Sequence, residues 1–205
     1  MVEHLIIFCK APRPGFVKTR LAATVGPETA CRHYHYLADI VFRQLQAMEQ
    51  VELRFTPDDA AAEVAVWKKR PSWRLTPQGS GGLGERLNAA FDDCFRMGAE
   101  RVVVIGTDTP ELSESDVREA FLALRQEDVV VGPSEDGGYW LIGLTDPHPE
   151  LFDAQDWGTD RVCQETLMRA QARGLQTRLL RLLPDIDTEE DWNRFRQRQV
   201  AWRTP

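Results

Sequence analysis

"RVVVIGTDTP" (Arg101–Pro110) sets the architecture of this chain. Four apolar residues run without a polar break to Gly106, and Thr107, Asp108 and Thr109 follow at once. A short continuous run of this kind, rich in β-branched residues, predicts a strand buried on both faces, as in the middle of a parallel sheet. Its end then delivers Asp108 to the carboxyl edge of the sheet, where such folds bind ligands. A carboxylate there can hold Mg2+ or Mn2+, which in turn binds phosphate oxygens. It can equally cap the turn that follows.

Outward from that strand, the same alternation continues in both directions. "HLIIFCK" (His4–Lys10) predicts another buried strand, and "VELRF" (Val51–Phe55) a third. Between them a helix opens at Gly26-Pro27, with Ala30, Tyr34, Leu37, Val41, Leu45 and Met48 at helical spacing. "DDAAAEVAVWKK" (residues 58–69) predicts a further helix, and Leu83, Leu87, Ala90, Cys94 and Met97 mark another after a glycine-rich loop. Downstream, Ser113 and Asp116 form a capping box. "DVVVG" and "GYWLIGL" are strands joined by "PSEDG" (residues 133–137). Thr159 or Asp160 is expected to cap a helix ending near Gly174. "LQTRLLRLL" (residues 175–183) predicts a last strand, and Thr188 with Asp191 a final capped helix. Strand and helix alternate from end to end, which predicts an α/β fold with a mainly parallel sheet in a single domain spanning residues 1–205.

Composition narrows the function classes. The chain has 205 residues, 42% hydrophobic and 28% charged, with a formal net charge of -7. That acidic balance argues against general nucleic-acid binding, which needs a broad basic surface. No apolar run approaches the roughly 20 residues of a membrane span, and "MVEHLIIFCKAP" lacks the pattern of a signal peptide, so a cytoplasmic protein is expected. Cys9, Cys31, Cys94 and Cys163 stand far apart with no C-x-x-C pair, which predicts reduced, mostly buried thiols rather than a zinc site or disulfide framework. His33 and His35 are two apart on a predicted helix, so they cannot form an i, i+4 metal pair.

Against that acidic background, "KAPRPGFVKTR" (Lys10–Arg20) holds four cations and no acid. Pro14-Gly15 favours a tight turn that folds the stretch back on itself. Two unit charges about 4 Å apart interact by roughly 4 kcal/mol at an effective dielectric near 20, so Lys10, Arg13, Lys18 and Arg20 repel one another once brought together. A diphosphate turns that repulsion into attraction, and Arg adds a bidentate fork. The bland alternative is a solvated basic turn. The spacing is not that of a Walker loop.

Three other stretches carry candidates. In "PSEDGGYWLIGL" (residues 133–144), Asp136 could orient an acceptor or act as a base, although Asp-Gly is also an ordinary turn signal. In "LPDIDTEEDW" (residues 183–192), Asp185 and Asp187 sit two apart and can face one way on an extended segment, which makes Asp187 a candidate second metal contact. In "PQGSGGLGERLNAAF" (residues 77–91), glycines precede a helix start that suits an anion, with Arg86 a candidate contact. Trp157 in "DAQDWGTD" reads as core before it reads as a lid.

Taken together and in order, "KAPRPGFVKTRL", "PQGSGGLGERLNAAF", "VVVIGTDTPEL", "VVVGPSEDGGYWLIGL", "DWGTD" and "DIDTEEDW" resemble the glycosyltransferase-A-like family called rSAM/selenodomain-associated transferase 1. The resemblance covers about Lys10 to Trp192. It implies a nucleotide-diphospho-sugar transferase (GT-A-like) fold, a central mostly parallel mixed sheet flanked by helices. It also implies that the first loop, with Lys10, Arg13, Lys18 and Arg20, wraps nucleotide phosphates. Asp108 corresponds to the group's metal ligand, and Asp187 falls where some relatives place a second. The usual Asp-x-Asp motif is replaced by "TDTP", which resembles the nucleotidyltransferase branch, while the glycine-rich first loop of the guanylyltransferases is replaced by a Pro-Gly basic loop.

The leading expectation is a metal-dependent transferase acting on a nucleotide-activated sugar, with an unknown acceptor and with Mg2+ or Mn2+ as cofactor. Lys18 and its neighbours would stabilise charge on the leaving diphosphate, and Asp136 would position the acceptor. The second is a nucleotidyltransferase that joins a nucleoside monophosphate to a phosphorylated acceptor. The third is a non-catalytic nucleotide-binding module. The sequence leaves the base, the acceptor and the oligomeric state open.

Overall fold

The computed structural model describes residues 2–153 and 155–201. Seven strands form one sheet in the order β3-β2-β1-β4-β6-β5-β7. They are β1 (Glu3–Lys10), β2 (Val51–Thr56), β3 (Arg74–Pro77), β4 (Arg101–Ile105), β5 (Val129–Pro133), β6 (Tyr139–Leu144) and β7 (Thr177–Leu179). All neighbours pair in parallel except β6, which runs antiparallel to both β4 and β5. The "PSEDG" turn thus makes a hairpin inside an otherwise parallel sheet. The expected fold class, a mostly parallel mixed sheet flanked by helices, is what the chain adopts.

Among the described residues seven α-helices accompany the strands: α1 (Thr19–Val25), α2 (Pro27–Gln44), α3 (Ala61–Val64), α4 (Leu83–Arg96), α5 (Glu114–Ala123), α6 (Val162–Ala172) and, after the last strand, α7 (Glu189–Ala201). Alternation along β1 shows how the sheet is covered on both sides. Leu5, Ile7 and Cys9 enter one buried cluster with Tyr34 and Phe42 of α2 and Val117 and Phe121 of α5. Ile6 faces the other way and packs with Leu87 and Phe91 of α4 and Ala170 of α6. Side chains alternate across a strand, so a strand with both parities apolar needs helices on both faces. Burying such side chains contributes roughly 1.5–3 kcal/mol each before conformational entropy is offset.

Several local expectations are corrected. A separate helix, α1, grows out of the basic stretch that reads as loop in the sequence. The helix expected over residues 58–69 is only one turn of α-helix, α3, followed by a 3-10 turn at Ala65–Trp67. Its start is drawn away, since Asp58 accepts from the Gly79 amide and Asp59 pairs with Arg13. Helix α6 begins at Val162, after Arg161, rather than at a Thr159 or Asp160 cap. Of the last expected strand, only Thr177–Leu179 joins the sheet. By contrast, the capping boxes at Ser113/Asp116 and Thr188/Asp191 form as expected. The four cysteines are free thiols, three of them buried. His33 stacks on Trp192 and His35 leans on Trp67, on different sides of α2. No helix among the described residues is long and apolar enough to cross a membrane.

Candidate active site

A cavity of about 500 Å3 opens at the carboxyl ends of β1 and β4. Lys10 ends β1 on its rim, and Lys18 and Arg20 come from the start of α1. Thr107 and Asp108 follow β4, Asp136 comes from the β5–β6 turn, and Asp185 and Asp187 precede α7. Strand β4 therefore delivers Asp108 to a concave sheet edge.

Lys18 is the centre of this arrangement. Its ammonium lies 2.5 Å from Asp108 Oδ1 and 2.9 Å from Asp187 Oδ1, with the side chain 2% exposed. Burial opposes the charge, but Asp108 and Asp187 outweigh it and hold the pKa above its ordinary value. The backbone of Lys18 is left-handed at φ 50° and ψ 49°, the one positive φ outside glycine among the described residues. Such a conformation costs a non-glycine residue of order 1–3 kcal/mol and persists where surrounding contacts fix it.

Two anchors bring the acids together. The Ile186 amide donates to the Asp108 carbonyl at 3.0 Å, and Ile186 itself is buried against Leu37 and Phe195. On the other side, the Asp187 amide donates to Asp191 Oδ2, the capping carboxylate of α7. Tyr34 fixes the facing loop: its hydroxyl accepts from the Lys10 amide at 2.7 Å and lies 3.2 Å from Thr107 Oγ1. Arg20 adds a looser contact to Asp187 Oδ2 at 3.8 Å.

Not every candidate reaches the cavity. Arg13 turns away and pairs with Glu63 at 2.6 Å and Asp59 at 3.1 Å, both from the α3 region. Arg86 lies behind the wall, where it donates to Gln78 Oε1 at 3.3 Å while Gln78 itself lines the cavity. Asp136 lines the cavity, but its Oδ1 is occupied by its own turn, accepting from Ser134 Oγ at 2.5 Å and the Gly138 amide at 2.9 Å. That turn needs Gly137, at φ 86°, because a Cβ there would collide with the Asp160 backbone. Trp157 packs against the second core cluster, edge-on to Tyr139, as the core reading expects, and its other side lines the cavity.

Asp185 was not singled out by sequence reasoning. It lines the cavity, and burial together with Asp136 and Asp187 pushes it up to about 6. Its spacing from Asp187 was the available signal, and what the sequence hid was the closeness of Asp136. A parallel bridge between Ser134 and Leu183 lays the two segments side by side.

The acids fit a hard divalent cation. Asp108 and Asp187 converge on one positively charged point from two sides, and carboxylate oxygens are what Mg2+ and Mn2+ prefer. A second grouping, His4, Glu52 and Cys94, has ligand atoms within 4.8 Å of one another. It lies towards the opposite end of β1, and Glu52 is already engaged by Arg54 at 2.5 Å and by Arg74. Two guanidinium groups on the only carboxylate disfavour a cation there.

The sheet order, the single antiparallel strand and the cavity at the carboxyl edge define a GT-A-like nucleotidyltransferase fold. A crystal structure from Desulfovibrio desulfuricans G20, assigned by name to the nucleotide-diphospho-sugar transferases, superimposes with a TM-score of 0.87 at 32% identity, over 95% of this chain and 87% of that one. The family model described as "Uncharacterized protein conserved in bacteria (DUF2064)" matches residues 41–159, and the chain belongs to that family. Among curated relatives, a phosphoenolpyruvate guanylyltransferase of Sphaerobacter thermophilus is 29% identical over 85% of this chain and 84% of its own length. A 3-phospho-D-glycerate guanylyltransferase of Phenylobacterium zucineum is 32% identical over 64% of this chain and 66% of its own. The superfamily expected from the motifs is thereby shown at the level of fold. Of the two reactions expected, nucleotidyl transfer has the better support, and the order of preference drawn from the sequence is reversed.

Proposed function

We propose that this protein is a guanylyltransferase that joins GMP from GTP to a small phosphorylated acceptor and releases pyrophosphate. The observation that carries the reading is the meeting of Lys18, Asp108 and Asp187 at one point, beside Lys10 and Arg20, in a cavity at the sheet edge. Cations there suit a triphosphate, and the paired acids suit the divalent ion that accompanies one. Support for guanine, and for a phosphorylated carboxylic acid as acceptor, comes from the names of the curated relatives.

In this reaction an acceptor phosphate oxygen attacks the α-phosphorus of GTP. The bond from that phosphorus to the α–β bridging oxygen breaks, and pyrophosphate carries the electron pair away. Lys10, Lys18 and Arg20 bind the β- and γ-phosphates and stabilise the charge that grows on them. A bound Mg2+ or Mn2+, held by Asp108 and Asp187, would supply further charge neutralisation and in-line orientation. Phosphate monoesters lose their second proton near pH 6, so the nucleophile is already an anion and needs no general base. Asp136 then serves to orient the acceptor.

The test is pyrophosphate release from GTP with Mn2+, dependent on phosphoenolpyruvate or 3-phosphoglycerate. A second reading, glycosyl transfer, is favoured by the name of the Desulfovibrio structure. Release of GDP from a GDP-sugar, with no pyrophosphate from GTP, would establish that reading instead.

A further inference from the structure

We propose that in the free protein the Lys18 ammonium holds the place of the divalent cation between Asp108 and Asp187, so that metal and lysine exchange rather than bind together. The inference rests on the metal site of the reading above, but on neither the base nor the acceptor.

An ion bridging the two acids would compete with the ammonium for the same pair of oxygens. The ammonium nitrogen is 2.5 Å from Asp108 Oδ1 and 2.9 Å from Asp187 Oδ1, the two oxygens that face each other across it. Mg2+ takes oxygen ligands at about 2.1 Å, so an ion on these oxygens would meet the ammonium head-on, like charge against like. The lysine is not a loose surface group that could shift aside unnoticed. Its side chain is 2% exposed, and its backbone is held left-handed where the loop enters α1. Without a cation of some kind, two carboxylates tied together by the Ile186–Asp108 hydrogen bond would repel each other.

A displaced ammonium has somewhere to go. Lys18 lines the cavity together with Lys10 and Arg20, the cations that suit phosphate oxygens. A metal arriving with a polyphosphate therefore brings the lysine a new partner as it takes the old one. A metal arriving alone leaves a cation without a partner. The consequence is coupling: metal binds weakly by itself and tightly in company with nucleotide.

The experiment needs only Mn2+. Free Mn2+ is followed by electron paramagnetic resonance during titration of the wild type, Lys18→Met, and Lys18→Met combined with Asp108→Asn, all without nucleotide. The expected result is at least about tenfold tighter Mn2+ binding by Lys18→Met, with the gain lost in the double variant. Equal or weaker binding by Lys18→Met overturns the proposal. A second measurement uses the wild type and does not depend on the variant folding. Acetic anhydride labelling, read by mass spectrometry, should be low at Lys18 and rise at a Mn2+ concentration that the titration shows to fill the wild-type site, while Lys68 labels equally in both conditions. Labelling of Lys18 that is unchanged by Mn2+ also overturns it. A protein that passes both tests yet releases no pyrophosphate from GTP would refute the proposed reaction and leave the exchange standing.

Discussion

Ile186 donates its backbone amide to the carbonyl of Asp108 at 3.0 Å, and so ties the segment before α7 to the loop after β4. The bond couples the positions of the two backbones, and Ile186 is seated without exposure among Leu37 and Phe195. The distance between the two acids is set by core packing as much as by the acids themselves.

Ile186→Ala should therefore cost more than stability. Truncating a fully buried isoleucine typically loses about 2–5 kcal/mol, which a urea titration will read. Mn2+-dependent nucleotide binding should weaken as well, under conditions where the variant remains folded. Full-strength binding in the folded variant would show that the acids do not depend on this anchor.

Asp108→Asn is expected to abolish metal-dependent nucleotide binding. The loss should exceed the roughly 10–100-fold that follows removal of an outer partner of a metal ligand. Calorimetry with and without Mn2+ measures it, and an unchanged Mn2+ dependence removes Asp108 from the metal site.

Asp136→Asn separates binding from turnover. An asparagine Oδ1 still accepts from Ser134 Oγ and the Gly138 amide, so the turn keeps both hydrogen bonds. Unfolding free energy should stay within about 0.5 kcal/mol of wild type, and nucleotide affinity should be unchanged. Turnover should fall. A variant with wild-type kcat would mean that Asp136 serves only its hairpin.

Glu52 makes stability depend on acid pH. Burial would raise its pKa, but His4, Arg54 and Arg74 outweigh burial and take it from 4.5 to about 2. A carboxyl lowered on folding stabilises fully above its unfolded pKa and loses that contribution as pH falls through the folded one. Glu52→Gln, which breaks a buried pair, should cost about 3 kcal/mol at neutral pH. The gap between wild type and variant should shrink steadily as pH drops from 4.5 towards about 2. Urea midpoints across that range give the comparison, and a gap that stays constant or widens contradicts the assignment.

Much of this was legible in the sequence because it depended on local pattern. The apolar run before Asp108, the alternation of strands and helices and the two capping boxes each state their structure within a few residues. Where the reading failed, a partner distant in the chain decided the outcome. Arg13 looked like Lys10 and Arg20, yet Asp59 and Glu63 lie within its reach only after α3 docks. Helix α1 was hidden because Lys18, its left-handed start, offers no capping side chain to recognise. Asp185 was visible as a neighbour of Asp187, but its crowding by Asp136 arises only when the Ser134–Leu183 bridge forms.

The most direct measurement is a crystal structure of the protein with GTP and Mn2+. The account predicts β- and γ-phosphates within hydrogen-bonding distance of Lys10, Lys18 and Arg20, with Mn2+ on Asp108 and Asp187. A nucleotide bound outside this cavity, with those three side chains turned to solvent, would contradict it.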